Sequence, residues 1–326
     1  MTFSIIIPMY NVTQYIERCL ESVFIQDYPS EKYEVILIND GSSDNSEEIA
    51  HNYCVGRSNV KIISQENKGL GGARNSGIDN ASNDYLIFLD SDDLLEQDSL
   101  MQVSTKYGQV LFDVIELAAN NVSPTFSLLT SFKPSELTDF KSGIDYYLTE
   151  KNIPSVCNKI YNRDFLNSYK LRFKEKMYIE DFEFNTRAFF YAKKVLCTGN
   201  ISLEKFVQTE GSITRNKNKS VKQKLVHDLF HVATSVKLFS ATVSSNKLDV
   251  DYFNDRMSRI NVNIVFQAYK YGFSREEINN LISELKSQNL YYLDKKIKLK
   301  NKEVFRKLVY NFKFLFDILI YFKNER

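Results

Sequence analysis

The sequence holds only three histidines and four cysteines, and its net charge is +1. Cys19, Cys54, Cys157 and Cys197 are far apart and lack metal-site spacing. They read as reduced, mostly buried thiols of a cytoplasmic protein, not as a disulfide framework or a zinc site. His227 and His231 stand four apart on a helical pattern without an HExxH glutamate, which makes them a solvated or packed pair. No Ser/His/Asp or Cys/His triad assembles from so few candidates. A net charge near zero denies the whole molecule a nucleic-acid footprint, so no nucleic-acid partner is expected. No apolar run reaches the roughly 18 to 20 residues of a transmembrane helix. The opening MTFSIIIPMYN lacks a basic n-region, and it reads as a strand and not as a signal peptide. What is present is 326 residues, 43% hydrophobic and 25% charged. Those values suit a globular chain with one large α/β domain and a smaller appendage.

Short apolar runs alternate with helical patterns through the first hundred residues. Ser4–Pro8, Glu34–Asn39, Val60–Ser64 and Asp84–Leu89 read as strands. Between them, Asn11 with Gln14 predicts a capped helix from about Val12 to Ile25, and Asp44 with Glu47 one through Tyr53. A Gly-rich turn, Lys68–Gly72, leads into a short helix ending near Asn80. This order implies a mainly parallel sheet flanked by helices, in which ligands bind at the carboxyl ends of the strands. Each polar cluster of this region falls at such an end. Beyond Leu100 the pattern loosens: Val110–Ala118 and Ser155–Tyr161 suggest strands, Asn121–Asp139 an irregular excursion, and Tyr178–Ala192 a helix. From about Ser220 onward the pattern is nearly all helical, which places a boundary at the Asn/Lys/Ser run ending in Lys219.

Asp90-Ser91-Asp92-Asp93 sets three carboxylates in four residues at the end of an apolar strand. They repel one another unless a positive charge intervenes, and a hard divalent cation shared with a diphosphate answers that need. An exposed acidic turn before a helix is the plainer alternative. Asp40, in Asn39-Asp40-Gly41-Ser42-Ser43-Asp44, could accept hydrogen bonds from a base or a ribose, or form a simple Asp-Gly turn with Asp44 as helix cap. Tyr10, just after Pro8, is placed to stack a flat ring or to sit at a rim. Asn67-Lys68-Gly69-Leu70-Gly71-Gly72-Ala73-Arg74-Asn75 combines flexible backbone, two cations and a helix start, a setting that favours phosphate. Glu180-Asp181 opens a helix, either as a dipole partner or as a general base.

In this order, these pieces resemble the family 2 glycosyltransferases of the GT-A fold. The matching text is Ile7-Pro8-Met9-Tyr10-Asn11, Asn39 to Asp44, Glu66-Asn67-Lys68-Gly69 with Ala73-Arg74-Asn75 and Gly77, Asp90 to Asp93, and Glu180-Asp181. The resemblance is close over about the first hundred residues and sparser to about Thr214. It implies a UDP-sugar donor, with Pro8, Tyr10, Asn11, Asp40, Asn67, Lys68, Arg74, Asp90 and Ser91 around the nucleotide. Tyr10 and Asp40 would meet base and ribose, Asp92 would ligate Mn²⁺ or Mg²⁺ on the diphosphate, and Asp181 would be the catalytic base of an inverting transfer. Glu210-Gly211-Ser212-Ile213-Thr214 resembles a loop that closes over the donor, although the usual aromatic-Arg pair before it reads Phe206-Val207. With no tryptophan in the chain, an aromatic sugar platform would have to be Tyr or Phe.

The expected organisation is a GT-A catalytic domain over 1–217, then a helical extension over 218–326. Within the catalytic domain, residues 1–100 would bind the nucleotide and residues 101–217 the acceptor. Residues 295–326 hold ten Lys/Arg against three Asp/Glu, a local surplus of seven positive charges. Lys302, Arg306, Lys313 and Asp317 form one stripe of a helix whose remainder is apolar. That pattern fits an interfacial anchor on anionic lipid, or equally a helix packed on the domain or on a second copy of the chain. The implied setting is the inner face of the cell membrane, with a lipid-linked saccharide of a surface polysaccharide as acceptor. A sugar nucleotidyltransferase and a catalytically silent scaffold subunit are the alternatives.

Overall fold

The computed structural model describes residues 1–209, 218–297 and 300–311. The chain divides into two compact units, Met1–Ser212 and Ile213–Arg326. In the first, β1 (Phe3–Met9), β2 (Tyr33–Asn39), β3 (Val60–Ser64) and β4 (Tyr85–Phe88) pair in parallel in the order β3-β2-β1-β4. Every residue of β1 and β2 is buried, as their near-continuous Ile, Val and Leu require in a sheet covered on both faces. Helices α1 (Ile16–Phe24), α2 (Ser46–Cys54) and α3 (Gly69–Asn80) make the crossovers. Phe3, Ile5, Ile7 and Met9 pack with Ile16, Leu20 and Val23 of α1, while Ile36 and Ile38 face the other way, onto Ala73 of α3. Gly77 of α3 lets that helix sit close: a Cβ there would lie 2.2 Å from Cγ2 of Ile6.

Beyond β4 the sheet becomes mixed. The chain forms β5 (Leu94–Leu95), α4 (Ser99–Tyr107), β6 (Val114–Val122), β7 (Leu128–Phe132), α5 (Gly143–Thr149), β8 (Lys159–Asn162), α6 (Arg163–Ser168), α7 (Glu180–Tyr191) and β9 (Val195–Val207). The order continues β4-β8-β6-β9-β5, with β7 a hairpin arm on β6. β8 runs antiparallel to both β4 and β6, and β9 runs parallel to β6.

Three local expectations fail. Asn11 does not cap a helix: its φ is 53°, its side chain serves another loop, and α1 begins at Ile16. The region 121–139 is not irregular, because the β6–β7 hairpin crosses it. Strand β9 was unexpected, since Gly199-Asn200 interrupts its pattern. The register against β6 shifts at Leu117/Ala118 and Ala118/Ala119, so the strand bends through a bulge there.

The second unit is helical: α8 (Lys219–Val243), α9 (Lys247–Lys270), α10 (Arg275–Ser287) and α11 (Lys300–Asn311). Asn218, Asn246 and Ser274 cap the first three, Ser274 in a full capping box with Glu277. Val262, Val265, Ala268, Ile278, Leu293, Ile297 and Val309 form its core. Arg306, expected on a polar stripe, is buried at 6% exposure. It pairs with Glu303 at 2.7 Å and donates to the Leu293 carbonyl at 2.6 Å, while Phe305 meets Phe266 edge-on. The described stretch of the basic helix is therefore packed on its own unit. Lys313 and Asp317, the later half of the expected stripe, and the loop from Glu210 to Thr214 lie outside the described residues. No helix among the described residues is long and apolar enough to cross a membrane.

Candidate active site

The carboxyl ends of β1 and β2 are tied into one rim by short polar side chains. Asn11, just after β1, accepts from Ser43 N at 2.9 Å and donates its own N–H to Ser42 Oγ at 3.2 Å. Asp44 accepts from Ser46 N at 3.0 Å and from Thr13 N at 3.2 Å, and the Thr13 and Ser46 hydroxyls also donate to it. Burial works to raise the Asp44 pKa, but those donors outweigh it and hold the carboxyl at about 2. Asp44 is thus a clamp between two loops as well as a partner of the α2 start. Pro8 lies inside β1. Tyr10 projects from the rim with 53% of its surface exposed.

Asp40 follows β2 and is buried. Its Oδ1 accepts from Lys68 N at 2.9 Å and Gln65 Nε2 at 2.7 Å, and its carbonyl accepts from Asn67 Nδ2 at 3.0 Å. Lys68 is the N-terminal flank of α3, and its side chain is exposed along with that of Asn67. The glycines that follow are not an open cradle. A Cβ on Gly71 would lie 2.2 Å from the Lys174 carbonyl oxygen, so its bareness admits the chain that precedes α7.

One turn further along α3, Arg74 is the hub of the site, with 1% exposure. Its NH1 donates to Glu180 Oε1 and to Asp181 Oδ1, both at 2.6 Å, and its NH2 donates to Asp90 Oδ1 at 2.8 Å. Phe173 covers the guanidinium at 5.3 Å. Arg74 thus gathers three carboxylates, one from the loop after β4 and two from the first turn of α7. One cation among three acids leaves an excess of negative charge, and the acids respond. Burial, then the neighbouring Asp181, push Glu180 up to about 8 against the pull of Arg74. Burial also raises Asp181, with Arg74 opposing and Asp90 adding to it. Its side chain stays 22% exposed.

The Asp90–Asp93 loop leads from β4 into β5. Ser91 is buried. Asp93 turns inward, accepting from Val207 N at 2.6 Å. Asp92 accepts from Thr209 Oγ1 at 3.2 Å, and its carbonyl accepts from Arg18 at 3.0 Å. Burial first and Asp90 second raise the Asp92 pKa. Glu204, on β9, was not singled out from the sequence because it lies in the unrecognised strand. It is 1% exposed, and neither carboxylate oxygen has a hydrogen-bond partner among the described residues. Burial raises its pKa well above the ordinary range, and Asp93 and Asp90 add to that. Clustered carboxylates, one of them orphaned, fit a hard divalent cation.

Apart from this site, His227, Asp228 and His231 bring ligand atoms within 4.8 Å of one another. Asp228 is already ion-paired with Lys224, and His227 is exposed. All four cysteines are free and buried.

Residues 4–169 match the family described as Glycosyl transferase family 2. The match covers just over half of the chain, and the protein belongs to that family. The putative glycosyltransferase EpsH of Bacillus subtilis (strain 168) is 33% identical over 201 residues, 59% of this chain and 57% of that one. Poly(ribitol-phosphate) beta-N-acetylglucosaminyltransferase TarS of Staphylococcus aureus (strain MW2) is 28% identical over 200 residues, 60% of this chain and 34% of that one. The matched region thus spans less than two thirds of either relative. Among solved structures, S. aureus TarS 1–349 in complex with UDP-GlcNAc superposes with a TM-score of 0.60 at 20% identity, covering 90% of this chain and 93% of that one. The mannosyltransferase PcManGT of Pyrobaculum calidifontis, in complex with GDP-Man and Mn²⁺, gives 0.56 at 13% identity, covering 99% and 86%. The fold is that of the GT-A glycosyltransferases.

Proposed function

We propose that the protein is an inverting glycosyltransferase that moves a sugar from a UDP-sugar to a hydroxyl of a saccharide. The observation that carries this is the span of α3. Its first turn binds Asp40 at the nucleotide end of the rim, and Arg74 binds Asp90 and Asp181 deeper in. One short helix thereby joins a nucleotide-binding carboxylate, a cation-binding loop and a carboxylate suited to proton transfer. The UDP-GlcNAc-bound relative supports the donor class.

In this reading the first hundred residues hold the donor and 101–217 present the acceptor. Tyr10 stacks on the uracil, Asp40 and Asn67 bind base and ribose, and Pro8, Asn11, Lys68 and Ser91 complete the nucleotide rim. Asp92, with Asp90 beside it, would hold Mn²⁺ or Mg²⁺, which supplies neutralisation of the charge that grows on departing UDP. Asp181 takes the proton of the acceptor hydroxyl; its raised pKa brings it toward the working range of a base. Arg74 keeps the carboxylate oriented and away from the leaving group. Attack from the side opposite UDP converts an α-linked donor into a β-linked product.

The acceptor is proposed to be a lipid-linked polysaccharide unit reached from the inner face of the membrane. The basic surplus of 295–326 supports attraction to anionic lipid, although α11 buries its apolar face in its own unit. A contact between copies through the C-terminal helices would leave that surplus free.

The deciding experiment begins with UDP-sugars screened in Mn²⁺ for the greatest rise in melting temperature, since a ligand of the folded state stabilises it. With that donor, UDP release is compared for the native chain and Asp181→Asn. Loss of turnover with UDP affinity retained is expected. Retained turnover removes Asp181 from the base role, and release of pyrophosphate in place of UDP makes the enzyme a nucleotidyltransferase.

A further inference from the structure

Between α5 and β8 runs a loop, residues 153–158, that touches the proposed base directly. Val156 N donates to Asp181 Oδ2 at 3.2 Å, while Arg74 holds Oδ1. The loop is the second of two grips on that carboxylate, and it is itself tied from two sides. From α7, Asn185 lies one turn beyond Asp181 and donates to the carbonyls of Pro154 and Ser155 at 2.7 and 3.3 Å. Tyr161 OH in turn fixes Asn185 Oδ1 at 2.7 Å.

From below comes a fully buried ammonium. Lys159 Nζ donates to the Ile153 carbonyl at 2.9 Å, the Ser155 carbonyl at 2.6 Å and Asn158 Oδ1 at 2.9 Å. Its counter-ion, Glu116 Oε1, lies 2.9 Å away. Both side chains are wholly shielded from solvent. Glu116 also accepts from Ile153 N, Asn158 Nδ2 and the Tyr146 hydroxyl.

Such a pair is costly to bury, and well-packed apolar residues of similar volume often stabilise a fold as well or better. Stability alone therefore does not explain it. What an apolar pair lacks is donors for the loop oxygens, and three of the four Lys159 contacts go to oxygens of the loop itself. We propose that Lys159, with Glu116 as its counter-ion, is a positioning residue for Asp181. It sets the loop so that the Val156 N–H aims the carboxylate at the acceptor oxygen. This rests on Asp181 being the base, and the test separates the two ideas.

The full chain is prepared as Asp181→Asn, as the double variant Glu116→Leu/Lys159→Met, and as Val156→Pro. UDP release is measured with the stabilising UDP-sugar, water serving as acceptor, and kcat is expressed per UDP-binding site. The double variant leaves no buried charge unpaired. Because the loop oxygens, Ile153 N and the Tyr146 hydroxyl lose their partners, it should melt below the native chain. Where it is folded, it should keep its donor KM and lose about tenfold to a hundredfold in kcat, the scale of a small misplacement of a reacting group. A purely structural pair would change the melting temperature or the number of binding sites and leave kcat per site native; that result overturns the proposal. If the double variant does not fold, Val156→Pro decides, because it deletes the N–H on Asp181, and native kcat there overturns the proposal too. If Asp181→Asn itself turns over, the reading of the base fails; if only the loop variants do, that reading stands and the positioning role falls.

Discussion

Asp90, in the loop after β4, and Asp181, in the first turn of α7, both close on the Arg74 guanidinium, at 2.8 and 2.6 Å. The loop proposed to bind a cation and the carboxylate proposed as the base are therefore tied to one guanidinium. Removing the cation should be severe. Arg74→Met leaves three carboxyls around an uncharged buried side chain and should cost about 3–5 kcal/mol, as for other broken buried pairs. Arg74→Lys restores a charge but cannot spread three donations across a planar fork, so it should fall between the two in urea denaturation.

The pH dependence of stability has a definite sign. Glu180 is pushed up from 4.5 to about 8 in the folded chain, by burial first and then by Asp181. The folded state therefore holds a proton that the unfolded state has released, and stability falls as pH rises through that window. The raised pKa values of Asp92 and Asp181 act in the same direction. Melting temperature without ligand should drop between pH 5 and pH 8 in the native chain, in keeping with the pKa of about 8. Glu180→Gln should flatten that slope, and an unchanged slope would show that Glu180 ionises normally.

Cation binding should release protons, because burial and Asp90 raise the Asp92 pKa and a ligating carboxylate must be deprotonated. Mn²⁺ affinity should therefore climb with pH. Calorimetry in two buffers of different ionisation heat should give different apparent enthalpies. Asp92→Ala should abolish the metal-dependent component of UDP binding, and turnover that survives EDTA would rule out the cation.

The close approach of α3 to β1 leaves no room for a methyl group. Gly77→Ala places a carbon 2.2 Å from Ile6 Cγ2, so α3 must shift or Ile6 must leave its rotamer, at about 1–3 kcal/mol. Because α3 carries Arg74, turnover should decline as well, even in the fraction that stays folded at 25 °C.

Attraction to a membrane surface would be electrostatic. The full chain should float with vesicles containing anionic lipid and not with zwitterionic vesicles, and salt should release it. Replacing Lys295, Lys296, Lys298 and Lys300 by Gln should weaken that flotation. Equal recovery with both vesicle types would count against the anchor.

The parallel half of the sheet could be read in advance because its strands are short runs rich in β-branched and aliphatic residues, and two of them, β2 and β4, run straight into an acidic cluster. Asp40 and Asp90 owe their place to that simple pattern. The partners of Arg74 could not be read: its contacts to Glu180 and Asp181 span more than a hundred residues, and periodicity carries no information about such pairs. Glu204 escaped notice because the bulge at Gly199-Asn200 breaks the alternation of β9. Asn11 misled for a different reason. Its side chain has the chemistry of a helix cap, but Ser43 offered its N–H and hydroxyl to the same oxygen, and α1 starts later. In the tail, Arg306 was placed by helical spacing alone, which cannot foresee that Glu303 and the Leu293 carbonyl draw it inward.

Cys157 accepts a weak hydrogen bond from the Arg74 NH2 at 3.8 Å and is buried with it. Burial raises its pKa well above that of a free thiol, so an alkylating reagent neither reaches it nor meets the nucleophilic thiolate. The chain thus carries an intrinsic reporter: the rate at which Cys157 is modified measures how often the surroundings of Arg74 open. A bound donor should slow that rate without any label being introduced.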